Sequence, residues 1–397
     1  MRFIKVCIVS LHPTYYHSGI WRRLSNLKQI DLTVYYLSEL GMKGTFDPEF
    51  NTTRHWADKS VFFGFKYRFI KNYAKLTYGY GFFSRFNPGI IKLLYKKYDV
   101  VLLHGYDTIS MWAALVTALI CKTSIMWRGE VVLDQTKKKQ FLRNIIKRVM
   151  LKFLFNRCDT IFYSCSGNRE YLRHYGASED KLSLLPCAVD NDFFQQQNKY
   201  YSSKLAEIRN ELGINSDDFV VVYSGRLTDR KRPQDLISAI AKTKKQKIVA
   251  LFIGDGPNME SLKNYAIKMG VRSIFVGYKT QKVIARFYSI ANAGVILSSY
   301  DPSPKSLNEI MNFSLPVIVT DVVGTSRDLV KRDCNGFIVP IGDIDVIASH
   351  LSFLFNDEAG AIKMGKESLR IIQEWNFSED VRAINIAIKE NTSKKCN

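Results

Sequence analysis

The sequence has no run of apolar residues long enough to cross a lipid bilayer. The longest nearly apolar run, from Ile109 to Ile120, falls well short of the roughly 20 residues that a spanning helix needs. The start of the chain has a charge at Lys5 and no long apolar core, so it predicts a first β-strand and not a signal peptide. Any contact with a membrane is therefore expected to be peripheral.

Several motifs of common enzyme classes are also missing. None of the seven cysteines forms a Cys-x-x-Cys pair, which favours a reducing cytoplasm. The segment Ser10–Thr14 follows the first predicted strand without a Gly-x-Gly-x-x-Gly motif, which argues against a nicotinamide-dependent Rossmann enzyme. No Asp-x-Asp motif ends a strand, because Asp229 and Asp255 stand alone. We therefore expect neither a metal nor a cofactor.

What the sequence does contain is an alternation of short β-rich runs and helical patterns. The chain has 397 residues, of which 46% are hydrophobic, enough for about two packed domains. The alternation predicts an α/β protein with two doubly wound parallel sheets of about six strands each. The predicted strands are Phe3–Val9, Leu32–Leu37, Val100–Leu103, Ser124–Trp127, Thr160–Tyr163 and Ser183–Leu185, then Phe219–Tyr223, Ile248–Ile253, Ser273–Val276, Ala293–Leu297, Val317–Thr320 and Gly336–Val339.

The boundary between the two sheets is predicted just after Leu185-Pro186. The polar segment Asp190–Tyr201 indicates a linker, and a helix from Lys204 to Leu212 opens the second domain. A last helix is expected from Ser378, with acidic residues in its first turn. We thus expect an N-terminal domain at 1–187, a C-terminal domain at 188–377, and a final helix and tail at 378–397.

Positive charge is concentrated in the first half. The net charge is +20, and the chain up to Asp192 carries 29 basic and 15 acidic residues, or +14. Residues 135–158 contain eight Lys or Arg, no acid, and apolar residues at helical spacing. Residues 61–98 add eight cations, no acid, and 13 Phe or Tyr. The alternatives are a core helix with a solvated cationic face, a nucleic-acid surface, and a patch facing the anionic inner surface of the cell membrane, which we favour.

The second half carries the informative motifs. Strand Phe219–Tyr223 leads into the cationic loop Ser224–Arg232, and Pro233 suits the first position of the next helix. Loops at the carboxyl ends of parallel strands are where open α/β sheets bind ligands, and Arg226 and Lys231 could hold a diphosphate there. A solvated basic loop is the competing interpretation. Residues Gly254–Pro257 predict a tight turn.

A third motif follows strand Ala293–Leu297. Ser303 is a plausible N-cap with Pro304 at the first helical position, so the helix N-terminus could meet a phosphate. Glu309 lies two turns into this helix, and Asp301 precedes it by eight residues. A carboxylate at this place can accept two hydrogen bonds from neighbouring hydroxyls, as on a ribose.

These motifs, in this order and spacing, resemble the retaining glycosyltransferases of family 4. The resemblance spans about 185–390 and is looser before it. It implies the GT-B fold, with two Rossmann-like domains facing across a cleft and a last helix able to cross back. It rests on Gly225-Arg226-Leu227 with Lys231, Gly254–Pro257, Val276–Tyr278, Asp301-x7-Glu309, Leu315–Val319 with Val323-Gly324, and, in the first domain, Asp99–Tyr106 and Leu184–Asp190.

The resemblance also implies roles for individual residues. Arg226 and Lys231 would bind the diphosphate, Glu309 the ribose, and backbone near Gly277 and Tyr278 the base. Asp301 stands where family members usually have Glu and would contact the donor sugar. The candidate catalytic residues are His104, Arg226, Lys231 and Asp301, and the candidate substrate-binding residues are Gly19, Arg128, Glu130, Gly225, Gly277, Tyr278, Ser303, Lys305, Ser306 and Glu309.

The residues assigned to the first domain are argued from their position. His104 and Arg128-Gly129-Glu130 follow strands at the carboxyl edge, where we expect them to face the cleft and the acceptor. Gly19 lies in a predicted loop, His17-Ser18-Gly19, ahead of a helix at Ile20–Leu27, where it would let the backbone approach the donor phosphate.

Together these features predict a metal-independent, retaining glycosyltransferase in cell-surface polysaccharide or lipopolysaccharide synthesis. Its expected partners are a UDP- or GDP-sugar donor, a lipid-linked or oligosaccharide acceptor, and an anionic membrane surface, with no nucleic acid. The alternatives are a nucleotide-sugar hydrolase or epimerase of the same fold, a non-catalytic nucleotide-sugar-binding protein, and a nucleic-acid-binding protein.

Overall fold

The chain divides into two compact units. The computed structural model describes residues 3–42, 45–47, 52–54, 58–74, 81–134 and 141–394. Unit 1 comprises Met1–Cys187 together with Phe377–Asn397, and unit 2 comprises Ala188–Asn376. The sequence places the corresponding boundaries after residues 187 and 377.

Unit 1 is built on a seven-stranded parallel sheet with the order β5-β2-β1-β6-β7-β8-β9. The central strands are apolar along their length because helices cover both faces of the sheet. Its elements before residue 188 are β1 Ile4–Ser10, α1 Tyr15–Ser25, β2 Ile30–Tyr36, the hairpin strands β3 Thr45–Asp47 and β4 Thr52–Arg54, β5 Lys66–Phe69, α2 Gly89–Leu94, β6 Val100–His104, α3 Ile109–Ile120, β7 Ser124–Arg128, α4 Phe141–Arg157, β8 Thr160–Tyr163, α5 Ser166–His174 and β9 Leu182–Leu184.

Unit 2 is built on a six-stranded parallel sheet with the order β12-β11-β10-β13-β14-β15. This is the doubly wound order of a Rossmann fold, and the order reverses between β10 and β13. Its elements are α6 Asn191–Tyr201, α7 Leu205–Glu211, β10 Phe219–Ser224, α8 Pro233–Thr243, β11 Ile248–Ile253, α9 Met259–Lys268, β12 Ser273–Phe275, α10 Gln281–Ser289, β13 Ala293–Ile296, α11 Lys305–Met311, β14 Val317–Thr320, α12 Ser326–Leu329, β15 Gly336–Val339, α13 Ile344–Asn356 and α14 Glu358–Gln373.

All twelve predicted strands are confirmed, each within two residues of its expected ends. No sequence pattern indicated β5, which forms one edge of the unit 1 sheet, or the β3–β4 hairpin. Strand β5 is Lys-Tyr-Arg-Phe, and its first three residues are exposed. A strand with one paired edge and little burial has no apolar run that could identify it.

The predicted linker at Asp190–Tyr201 is wrong, because these residues form helix α6. The side chain of Asp190 caps the helix by accepting a hydrogen bond from the backbone N–H of Phe193. Phe194 and Asn191 are buried, while the three glutamines lie on the remaining faces. Only one of the four aromatic residues in this segment is buried, which was too weak a pattern to indicate a helix.

A second correction concerns the start of α1. The sequence places His17-Ser18-Gly19 in a loop, but α1 already begins at Tyr15, with the Thr14 side chain as its N-cap. Gly19 is buried inside the helix, where an added Cβ would lie 2.5 Å from Cε2 of Phe377. This glycine therefore allows a close helix contact and does not form a phosphate-binding loop.

The partner of Gly19 belongs to the last helix, α15, which spans Phe377–Ser393. The chain returns to unit 1 here, as the sequence allows for its last helix. Asn385 accepts a hydrogen bond from Gln29, and the Asn391 amide donates to Thr160 Oγ1 at 3.0 Å. The helix thus joins the amino-terminal and carboxyl-terminal parts of one domain.

Candidate active site

Each unit carries a cluster of polar side chains where its strand order reverses. In unit 2 the reversal lies between β10 and β13, and in unit 1 it lies between β1 and β6. Ligands of doubly wound sheets bind beyond the carboxyl ends of the strands at this point. The predicted site residues follow these strands or their neighbours.

The loops after β10 and β11 pack backbone against backbone in unit 2. A Cβ on Gly254 would lie 1.9 Å from the carbonyl oxygen of Gly225, and one on Gly256 would lie 2.3 Å from that of Leu227. Gly254 also has a φ of +140°, which other residues rarely adopt. The N–H of Met259 donates a hydrogen bond to the oxygen of Gly256, so a turn begins within the predicted Gly254–Pro257 segment, and this segment packs against the cationic loop.

The cationic loop is joined to the loop after β13. Lys231 Nζ pairs with the carboxylate of Asp301, and both side chains are mostly buried. Arg230 donates a hydrogen bond to the backbone oxygen of Tyr300 at 2.7 Å, and the Arg230 oxygen accepts one from Ser299. A predicted cation and a predicted carboxylate, 70 residues apart, thus share one site.

Glu309 is held by a residue that the sequence does not indicate. Its side chain is buried, and its Oε2 lies 2.8 Å from the hydroxyl of Tyr288, which donates to the carboxylate. The same hydroxyl lies 2.8 Å from Oγ of Ser224 at the end of β10. Tyr288 is fully buried in α10, so nothing in the sequence distinguishes it from an ordinary core residue.

The start of α11 differs from the prediction. The helix begins at Lys305 with Pro304 as the N-cap residue, so Ser303 is not the N-cap. The Ser303 hydroxyl is buried and makes no hydrogen bond to any described residue. Lys305 and Ser306 form the half-exposed first turn. A buried hydroxyl without a partner is a group that a ligand can satisfy.

The remaining predicted residues of unit 2 lie at the same edge of the sheet. Arg226 is exposed, and its backbone oxygen accepts a hydrogen bond from buried Tyr223. Gly277 has a φ of +72° and accepts a hydrogen bond from the N–H of Gly254, which joins the loops after β11 and β12. The Tyr278 side chain beside it is 52% exposed.

The unit 1 cluster brings together His104, Arg128 and Glu130. His104 ends β6, Arg128 ends the neighbouring β7, and Arg128 lies 3.2 Å from Glu130 Oε1. His17 joins them from α1: its Nε2 lies 3.4 Å from Glu130 Oε1, and its ring meets that of His104 edge to face with centroids 4.5 Å apart. In the sequence, only the position of His17 shortly after the first strand indicated that it could belong to this cluster.

Burial sets the charge of two members of this cluster. It holds the pKa of His104 well below its usual value, and the nearby His17 and Arg128 lower it further, so the imidazole is neutral. Burial also opposes ionisation of Arg128, but the charges of Glu130 and Asp380 raise the pKa of its guanidinium above the usual value. Arg128 is therefore a buried cation next to the carboxylate of Glu130.

A separate surface feature lies on α4. Ile145, Ile146, Val149 and Phe153 form a line of apolar side chains that are 44–65% exposed, and we call them the α4 stripe. Leu151, Leu154 and Phe155 of the same helix are buried. Residues 135–140 of the predicted basic amphipathic segment, and 75–80 of the basic aromatic segment, lie outside the described residues. Nowhere in the described chain is a helix both long and apolar enough to cross a membrane.

Comparison with known proteins agrees with these features. The model of the family described as glycosyl transferases group 1 matches residues 205–371, and that of glycosyltransferase family 4 matches residues 45–193. Together they span most of both units. The chain belongs to the group 1 glycosyltransferases. The predicted GT-B fold is confirmed as two Rossmann-like α/β domains, and the enzyme is a glycosyltransferase.

Two relatives of this glycosyltransferase are named as bacterial galactosyltransferases. It is 24% identical, over 74% of its chain and 76% of the relative, to the UDP-Gal:α-D-GlcNAc-diphosphoundecaprenol α-1,3-galactosyltransferase of Escherichia coli. It is 29% identical to the lipopolysaccharide 1,6-galactosyltransferase of Salmonella typhimurium, over 35% of its chain and 40% of that protein. The structure of Anabaena HepE with UDP-glucose covers 98% of this chain and 100% of its own, with a TM-score of 0.70 and 15% identity.

Proposed function

We propose that this glycosyltransferase takes its sugar from a nucleoside diphosphate sugar bound at the carboxyl edge of the unit 2 sheet. The observation that carries the proposal is the convergence of the loops after β10 and β13, which joins Lys231 to Asp301, while Tyr288 holds Glu309 and contacts Ser224 at the end of β10. The E. coli relative is named for a UDP-galactose donor, and HepE binds UDP-glucose. Both names support a nucleotide donor here.

Each group has a role in this proposal. Arg226 and Lys231 neutralise the diphosphate, with Gly225 leaving room for it and the Ser303 hydroxyl and the α11 turn at Lys305 and Ser306 adding polar contacts. Glu309 accepts hydrogen bonds from the two ribose hydroxyls. The base lies by Gly277 against the exposed ring of Tyr278, and Asp301 contacts the donor sugar.

Transfer then depends on stabilising the leaving diphosphate. Charge builds on the β-phosphate as the glycosidic bond breaks, and fixed cations at that place each contribute about 10²–10³ in rate. Arg226 and Lys231 supply this charge without a metal ion. The leaving phosphate takes the proton of the acceptor hydroxyl, and the family resemblance supports retention of the anomeric configuration.

We infer further that the acceptor is a lipid-linked saccharide and that unit 1 contacts the anionic cytoplasmic face of the membrane. The α4 stripe lies on a helix with Lys147, Arg148 and Lys152, and such a helix suits an anionic lipid surface. The E. coli relative is named for a diphosphoundecaprenol-linked acceptor. In unit 1, His104, Arg128 and Glu130 are the candidates for contacts with the saccharides.

The donor proposal is tested by calorimetry with UDP, GDP, ADP and TDP in metal-free buffer. We expect one nucleotide to bind, and Glu309→Ala and Lys231→Ala to weaken it by about 10–100-fold, since a hydrogen bond to a charged group contributes about 1.5–3 kcal/mol. Lys247→Ala, at the opposite end of the same sheet, serves as the control. Unchanged affinity in both site variants would place the donor elsewhere.

The membrane proposal is tested by sedimentation with neutral and anionic vesicles. We expect binding to anionic vesicles that Val149→Asp abolishes. Ile267→Asp introduces the same charge at a 79% exposed position in unit 2 and should leave binding intact. Equal binding of the protein to both vesicle types, or equal vesicle binding by Val149→Asp and Ile267→Asp, contradicts the proposal.

The competing interpretation, a hydrolase of the same fold, is tested separately. Release of free sugar from the donor at an equal rate with and without acceptor would identify a hydrolase.

A further inference from the structure

Three side chains in unit 1 converge in the manner of metal ligands. His17, His104 and Glu130 can each offer one ligand atom, and these atoms all lie within 4.8 Å of one another. Ligands at about 2.0–2.2 Å from a tetrahedral Zn²⁺ lie roughly 3.3–3.5 Å apart. The 3.4 Å between His17 Nε2 and Glu130 Oε1 matches this spacing, and the ligand atom of His104 lies within 4.8 Å of both.

The orientation of these ligands is fixed by neighbouring groups. Thr14 Oγ1 lies 2.9 Å from Nδ1 of His17, which leaves Nε2 directed at Glu130. Arg128 lies 3.2 Å from the same glutamate oxygen. Histidine ligands in metal sites commonly engage their other ring nitrogen in a hydrogen bond, and carboxylate ligands commonly accept hydrogen bonds from neighbouring groups. No described residue makes a hydrogen bond to the ring of His104, so its nitrogens are available.

We propose that His17, His104 and Glu130 form a binding site for a divalent transition-metal ion of the Zn²⁺ class. Two imidazoles and one carboxylate favour zinc and its neighbours over Mg²⁺ and Ca²⁺, which prefer oxygen ligands. Three protein ligands leave a fourth position for water or a substrate hydroxyl. Because the proposed transfer chemistry needs no cation, this ion is a separate ligand of the enzyme.

Occupation of the site has a consequence for activity. An ion bound to His104 and Glu130 withdraws both from any saccharide, so we expect Zn²⁺ to inhibit transfer. This consequence rests on the proposed role of His104 in transfer. The binding of the ion itself does not, and it is measured without nucleotide or acceptor.

The experiment uses Co²⁺ as a visible substitute for Zn²⁺ on the full chain, freed of metal with a chelator. We expect one Co²⁺ per chain with the absorption bands of a tetrahedral nitrogen and oxygen site, displaced by Zn²⁺ in calorimetry. His17→Asn, His104→Asn and Glu130→Gln should each weaken Zn²⁺ binding at least tenfold. Thr14→Ala should weaken it by about 10–100-fold, as for groups that orient metal ligands.

His174→Asn, at an exposed position of α5, is the matched control and should bind Zn²⁺ as the unmodified protein does. Melting curves of the metal-free variants identify any that fail to fold, and the three ligand variants alter three different elements. Equal affinity in the folded ligand variants overturns the proposal. So does the absence of saturable binding, or an intense thiolate-to-cobalt absorption, which would assign the metal to cysteines.

Discussion

At the scale of single residues, the carboxylate of Glu309 is held by a hydroxyl from another helix. The carboxylate is buried, and Tyr288 donates to it from α10. A buried carboxylate that loses its hydrogen-bond donor is destabilised by its desolvation and is no longer held in one orientation. Tyr288 is therefore a positioning residue for the ribose contact proposed for Glu309.

We predict that Tyr288→Phe weakens nucleotide binding by about tenfold, since one hydrogen bond contributes about 1–1.5 kcal/mol. The ring is retained, so the core should stay packed. Calorimetry with the nucleotide that binds best measures the change. Tyr265→Phe removes another tyrosine hydroxyl of unit 2, which contacts Ser238 at 2.9 Å, and should have no effect on affinity. Equal losses in both variants would show that only stability has changed.

Asp301 stands where the family usually has the longer Glu, and its carboxylate pairs with the ammonium group of Lys231. An anionic diphosphate must compete with Asp301 for the same ammonium group. We predict that Asp301→Asn raises nucleotide affinity several-fold and lowers the transfer rate at least tenfold, since the contact with the sugar is altered. Binding and turnover are measured separately. A loss of affinity as large as that of Lys231→Ala would mean that Asp301 only orients the lysine.

At the scale of elements, the candidate site depends on two loops whose backbones touch. Gly254 leaves no space for a Cβ beside the Gly225 carbonyl. We predict that Gly254→Ala displaces the cationic loop and weakens nucleotide binding at least tenfold, because backbone on both sides cannot yield without moving the loop. Calorimetry and thermal melting measure the two effects.

Gly270→Ala is the matched control for that substitution. Gly270 also has a positive φ, of +64°, but nothing lies within 4 Å of its added Cβ. Both variants carry backbone strain, and only Gly254→Ala carries the clash. If both lose stability and neither loses nucleotide affinity, the contact between the loops does not shape the site.

The same elements show what the sequence can predict. The buried parallel strands are continuous apolar runs, so β10 and β13 and the loops after them were located to within a residue. Edge strand β5 and helix α6 carry little apolar pattern and were missed. Tyr288 and His17 were missed for a different reason: each meets its partner only through the fold, across 21 and 113 residues respectively.

At the scale of the whole molecule, unit 1 is discontinuous in sequence. Val381, Ile384 and Ile388 of α15 are buried in it, and Asp380 is fully buried. Each fully buried aliphatic side chain contributes about 1.5–3 kcal/mol, so the helix contributes a large part of the typical stability of about 5–15 kcal/mol. Unit 2 lies entirely within 188–376.

We predict that a chain ending at Asn376 keeps unit 2 folded and loses the fold of unit 1. Limited proteolysis should then yield a resistant fragment corresponding to unit 2 and rapid cleavage before residue 188. A chain ending at Ser393 keeps α15 and is the control, with resistance equal to that of the full chain. A shortened chain in which both units resist the protease would show that α15 is dispensable.

The return of α15 to unit 1 also fixes an order of events during synthesis. Domains generally fold as the nascent chain emerges, the amino-terminal one first. Here the domain that emerges first cannot close its core until the second has been translated, because its last helix is encoded after residue 376. The apolar surface of unit 1 that α15 covers is thus exposed for the time it takes to make unit 2, and it is the surface on which we expect a chaperone to bind the growing chain.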